Sequence, residues 1–143
     1  NACVGVCRSL NPQFKKDAVL LKVQELLFVA GADLATPVDA RSKIPRIGVK
    51  ETEWTEKETD AIDKALPLLK NFILPGGTPQ AAALHQARAV CRRAERAVVA
   101  LSEKEPMTPK LISFLNRLSS LLFVLARYAN QEAKHRETEW KEG

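Results

Sequence analysis

Between Leu111 and Ala129 an apolar residue returns every three or four positions: Leu111, Leu115, Leu118, Leu122, Leu125 and Ala129. A helix turns about 100° per residue, so these side chains share one stripe, whereas a half-buried strand needs alternation at every second position. Leu84, Ala87, Cys91, Ala94, Val98 and Leu101 keep the same rhythm, as do Leu20, Val23, Leu27, Ala30 and Leu34. No segment alternates with period two, no Gly-rich nucleotide fingerprint follows a strand, and no repeat of fixed length occurs. With a short helix over residues 1–10 and helix signals resuming at "TEWTEKETDAIDKAL", the expected fold is all-α, five helices in an antiparallel bundle, forming one domain over residues 1–143.

Turn chemistry places the boundaries. Prolines, glycines and the basic tract "ARSKIPRIGVK" read as a long loop over residues 36–50. Thr55 with Glu58 resembles a capping box, and Thr52 is an equally good start. Pro67 bends or ends that helix. "LPGGTP" supplies a turn, after which Thr78 caps the next helix with Pro79 at its first position. The polar tail over residues 136–143 is expected to fray.

Composition excludes some classes of function. Charged residues at 27% and hydrophobic ones at 45% are ordinary for a folded chain. The net charge of +5 and pI near 9.3 favour anions without demanding a polyanion such as DNA. No stretch approaches the roughly 18 uninterrupted apolar residues of a membrane span, and no basic leader opens the chain, which reads as soluble and intracellular. Three cysteines make no disulfide framework. Cys3 and Cys7 share a helical face and, with a histidine, form a conceivable metal clip, but small buried hydrophobes is the commoner role. His85 and His135 are too isolated to argue a metal site. Ser/His/Asp arrangements, paired carboxylates and CxxC are all missing, so any catalysis rests on binding and electrostatics with the reactive centre brought by another molecule.

One stretch is unusual. Arg88, Arg92, Arg93, Glu95 and Arg96 crowd into nine residues. Arg88, Arg92, Glu95 and Arg96 fall along the flank of the Leu84–Leu101 stripe, with His85 one turn earlier, while Arg93 points toward solvent or a neighbouring subunit. Forked guanidinium donors match phosphate oxygens in pairs, so such a row suits a polyphosphate. The competing reading is a solvated face whose salt bridges contribute little. A second polar stripe, Asn116, Ser120, Phe123 and Arg127, lies beside the last apolar one, where an asparagine either binds a ribose or base or holds two helices in register. Phe72, beside Pro75, either packs or covers a flat ligand.

"FILPGG" at 72–77, "RAVCRRAERAV" at 88–98 and "FLNRLSSLLFVLARYAN" at 114–130 together resemble the PduO-type ATP:cob(I)alamin adenosyltransferases, and "ELLFVAGADLATP" at 25–37 is similar to the family's second helix. The resemblance implies a homotrimer with active sites between subunits. It implies transfer of the 5′-deoxyadenosyl group of ATP, with magnesium, to reduced cobalamin, releasing triphosphate. Arg92, Arg93, Glu95, Arg96 and Asn116 would belong to the ATP site. Arg88 would order the site through a carboxylate contact, and Phe72 would sit against the lower face of the corrin, displacing the lower axial ligand. The nucleophile is cobalt(I), so no side-chain nucleophile is needed. The resemblance also implies a reductase partner that supplies electrons and a cytoplasmic setting, or the mitochondrial matrix in a eukaryote. Two family features have no counterpart here: a phosphate-wrapping segment patterned T-R-x-G-D-x-G-x-T and the carboxylate partner of Arg88, both expected upstream of Asn1. Ser120 stands where the family has an aspartate. The alternative class is a basic helical bundle that binds an anion or nucleic acid without catalysis, although aromatic residues for stacking bases are missing from the arginine stretch.

Overall fold

The computed structural model describes residues 1–41 and 43–141. Five helices follow one another: α1 (Ala2–Ser9), α2 (Asp17–Ala35), α3 (Val49–Asp63), α4 (Pro79–Ser102) and α5 (Leu111–Glu132). The central element is α5. All six positions of its expected stripe are buried, and so are Phe114, Leu121, Val124 and Ala126. A helix apolar on most of its circumference belongs inside a bundle, and α5 packs against both α3 and α4. It is also the single described helix long and apolar enough to cross a membrane by length and composition, with most of that apolar surface spent on the core.

The antiparallel course of α4 and α5 is fixed at both ends of their contact. Near one end the amide of Asn130 meets the backbone at Gly76 and Thr78, and farther along the Cys91 thiol donates to the Leu115 carbonyl at 3.4 Å. The helix start at α4 follows the expected chemistry: the Thr78 hydroxyl accepts the Ala81 N–H at 3.1 Å and Pro79 occupies the first turn. Cys3, Cys7 and Cys91 are free thiols, and burial pushes Cys7 up to about 11 and Cys91 up to about 12. Cys7 lies wholly in the core, in the role of a small hydrophobe.

Four expectations need correction. In α2 the buried positions are Leu20, Val23, Leu26, Ala30 and Asp33, whereas Leu27 is half-buried and Leu34 exposed. A carboxylate takes the last core position because it is fully partnered: Arg46, the Thr108 hydroxyl at 2.7 Å and the Ile47 N–H at 3.0 Å all donate to it. In α4 Ala94 is exposed and Leu101 half-buried, so no residue between Cys91 and Val98 is buried. The loop expected over residues 36–50 ends sooner. The α3 helix starts at Val49, with the Glu51 carboxylate accepting the Gly48 N–H at 2.8 Å; Thr52 and Thr55, the expected caps, are buried inside it and donate to carbonyls one turn back. Ser42 of that loop lies outside the described residues, as do Glu142 and Gly143 of the tail.

The fourth correction concerns the tail. Instead of fraying, its described part runs antiparallel to the segment that carries Phe72. Ile73 and Glu139 form an isolated bridge, the Leu74 N–H donates to the Thr138 carbonyl at 2.8 Å, and the Trp140 N–H donates to the Phe72 carbonyl at 2.7 Å. Backbone groups that would otherwise need water thus satisfy one another.

Candidate functional site

The Leu-Pro-Gly-Gly turn is shaped by a buried asparagine. Gly77 has φ +110°, and a Cβ there would stand 2.1 Å from Asn130 Oδ1, so glycine is required both by conformation and by space. Asn130, 1% exposed, accepts the Thr78 N–H at 3.0 Å and donates to the Gly76 carbonyl at 3.1 Å. Its two hydrogen bonds hold the turn against α5 while the preceding residues swing outward. Phe72 is the result: 81% of it is exposed.

That exposed ring stands at a cleft of about 940 Å³. Leu69, Ile73, Phe123 and Trp140 add apolar walls, and Arg88 enters from α4. The Arg88 guanidinium lies 4.6 Å from the centre of the Phe123 ring, a cation–π contact, and its Nε has no hydrogen-bond partner among the described residues. Burial, and then the neighbouring Arg92, pull the Arg88 pKa down from its ordinary value. His85, one turn earlier on α4, is buried edge-on to Phe123 with its Nε2 also unpartnered among the described residues; burial first and Arg88 second lower its pKa, which favours the neutral form.

Beyond Arg88 the row continues into solvent. Arg92, Arg93 and Arg96 are exposed, and none of the ion pairs among the described residues involves any of the four arginines. Glu95 makes none of those ion pairs either: its carboxylate accepts from the Asn116 side chain of α5 at 2.8 Å. The structure therefore brings Phe72 and Arg88 to one cleft and joins Glu95 to Asn116. Arg92 and Arg96 extend along α4 at successive turns, and Arg93 is turned away from their line.

Of the second polar stripe, Asn116 and Ser120 are exposed, Phe123 floors the cleft and Arg127 is buried at 4% exposure. Sequence reasoning missed Asn130 and Trp140 altogether. An aromatic residue in an otherwise charged tail was the available signal for Trp140; Asn130 lay at the end of a quoted motif with nothing to mark it.

An aromatic cleft continuous with an unpaired arginine row agrees with what the chain is similar to. The sequence profile described as cobalamin adenosyltransferase matches residues 1–129. A corrinoid adenosyltransferase of Mycobacterium tuberculosis is 43% identical over 137 residues, 92% of this chain and 71% of the relative. A cobalamin adenosyltransferase of Cupriavidus metallidurans is 41% identical over 143 residues, 99% of this chain and 74% of the relative. Among solved structures, a variant of the PduO-type ATP:corrinoid adenosyltransferase from Lactobacillus reuteri, complexed with cobalamin and ATP, superposes with a TM-score of 0.93 at 38% identity, covering 99% of this chain and 80% of that one. A profile match over most of the chain, identity above two-fifths and a shared five-helix architecture lead to one conclusion: the chain belongs to the cobalamin adenosyltransferase family.

Proposed function

We propose that this protein transfers the 5′-deoxyadenosyl group of ATP to cob(I)alamin, giving adenosylcobalamin and triphosphate. The observation that carries this reading is the meeting of two unlike surfaces at Arg88 of α4. An apolar, aromatic cleft sized for a large flat ligand meets a row of unpaired guanidinium groups suited to a polyphosphate, and Arg88 belongs to both.

Cobalt(I) brings the electron pair that attacks C5′, and triphosphate leaves with the pair of the broken C–O bond. The chain's task is then placement and charge. Arg92 and Arg96 receive the triphosphate, whose negative charge grows as the bond breaks, and preorganised donors stabilise that growth most; Arg93, off their line on α4, serves the site at the neighbouring subunit. Glu95 and Asn116, already bonded to each other, offer a paired acceptor and donor to the nucleoside. Phe72 lies against the lower face of the corrin and, with Phe123 and Trp140, keeps water and the lower axial ligand from the cobalt. Arg88, half-buried with an unpartnered Nε, orders the boundary between the two substrates.

Magnesium travels with the triphosphate. Phosphate oxygens are ordinary ligands for this hard cation, which would add to the arginines' neutralisation of the leaving group. The working assembly is a homotrimer with sites between subunits; Leu21 and Phe28, seven residues apart on one face of α2 and 44% and 77% exposed, supply apolar surface for self-association. A reductase delivers electrons to the bound corrinoid, and the setting is the cytoplasm, or the mitochondrial matrix in a eukaryotic source.

The test is ATP-dependent conversion of chemically reduced cob(I)alamin, followed by absorbance, with Arg92→Ala beside the parent. Conversion by the parent, with kcat/KM for ATP down at least tenfold in the variant and an unchanged melting temperature, supports the reading. Conversion that survives Arg92→Ala unaltered removes the arginine row from the reaction. Salt-dependent binding to nucleic acid without turnover would favour the noncatalytic alternative.

A further inference from the structure

Arg127 is a buried cation with an unusual set of partners. It sits on α5 at 4% exposure, and its guanidinium reaches three separate parts of the chain. Nη2 donates to the Pro67 carbonyl at 2.7 Å; Nε donates to both carboxylate oxygens of Glu137, at 3.3 and 3.2 Å; Nη1 lies 3.9 Å from Asp63. A charge withdrawn from water in this way does not in general stabilise a fold better than an apolar side chain of the same size. Its retention calls for another explanation, and the identity of its partners supplies one.

Pro67 opens the segment that leads to Phe72, and Glu137 immediately precedes the tail residues that pair with that segment. Thr138 accepts from Leu74, and Trp140 donates to the carbonyl of Phe72 itself. Phe72 therefore rides on a two-stranded strap whose strands are both rooted on one guanidinium. Such a fork fixes direction as well as distance, which an ammonium group does not.

We propose that Arg127 is a positioning residue for the corrinoid: by tying Pro67 and Glu137 to α5 it sets the height of the strap, and with it where Phe72 and Trp140 stand at the cleft. The proposal rests on the corrinoid reading of that cleft. Arg127 touches no substrate and acts through the strap alone. The ATP-facing arginines stand on α4, away from this anchor, so losing it affects one substrate and spares the other.

The experiment uses Glu137→Gln in the full chain, which leaves the core intact, alongside Arg127→Lys, which keeps the charge and loses the fork. Amide hydrogen exchange at Leu74 and Trp140 should quicken about tenfold in both variants, the loss of roughly one charge-assisted hydrogen bond, with the central amides of α5 unchanged. The dissociation constant for cob(II)alamin should rise by a similar factor while that for ATP stays the same. Unchanged exchange at the two strap amides overturns the anchor. Faster exchange with corrinoid and ATP affinities both unchanged, or both weakened equally, overturns the positioning role. A parent chain that binds cob(II)alamin but transfers no adenosyl group refutes the proposed reaction and leaves this proposal to stand on the binding data; a parent that binds no corrinoid overturns both.

Discussion

Phe72→Ala separates folding from ligand contact more cleanly than any other single change at the cleft. The ring is 81% exposed, so about 160 Å² of a side chain of roughly 200 Å² does no work in the folded chain alone. Its removal should alter stability by no more than about 0.5 kcal/mol, the range of ordinary surface substitutions. At about 25 cal/mol per Å², complete coverage by a ligand would contribute about 4 kcal/mol. A planar ligand covers one face of a ring, which halves that to about 2 kcal/mol, or about a thirtyfold loss of corrinoid affinity.

The assay pairs a thermal melt with corrinoid titration and with turnover from two starting materials. Transfer to pre-reduced cob(I)alamin at saturating corrinoid should be nearly preserved. Transfer that starts from cob(II)alamin and requires reduction on the enzyme should fall much further, because excluding the lower axial ligand is the step proposed for the ring. Equal loss in the two assays refutes that role. A melting temperature that drops by several degrees refutes the reasoning at an earlier point, since it would mean that the ring is packed in the folded protein.

Two further outcomes test the surroundings of the site. Asp33→Ala strands Arg46, the Ile47 N–H and the Thr108 hydroxyl, so it should cost about 3 kcal/mol, the low end for breaking a buried pair because Arg46 is partly exposed, and lower the melting temperature by roughly 10 °C; a shift below about 2 °C would show the network to be dispensable. The lowered pKa of His85 means that the unfolded chain takes up its proton at a higher pH than the folded one, so stability should decline as pH falls through and below about 6.5, and chemical denaturation of His85→Gln across that window should show a shallower slope, an identical slope assigning the effect elsewhere.

What the sequence made legible was local or periodic. The α5 stripe needs only spacing, and the α4 start needs only Thr78 and Pro79 side by side. Ala94 misled because periodicity extends a stripe past the point where a neighbour ceases to cover it, and nothing in a heptad records where the opposite helix ends. Asp33 misled for a related reason: a carboxylate reads as surface until its donors are known, and those arrive from residues 46, 47 and 108. The tail reads as fraying because all but one of its side chains are polar or absent, yet its pairing partners lie around Phe72, far back along the chain. The arginine row was visible as charge. The anchor at Arg127 and the turn template at Asn130 were not, because each joins groups more than fifty positions apart.

The core and the arginine row fall on different helices, and that division explains how such a charge row persists. α5 is buried on nearly every side and supplies the core, so α4 is free of that duty between Cys91 and Val98, where no residue is buried. Arginine there gives up no packing. Its cost is repulsion: Arg88, Arg92 and Arg96 follow one another at four-residue spacing, and like charges so placed destabilise a helix by about 0.2–0.5 kcal/mol per pair. Glu95, a single carboxylate held in place by Asn116, offsets only part of this. A polyphosphate laid along the row removes the repulsion and adds its own attraction, so the strain of the free protein becomes affinity for an anion of matching length.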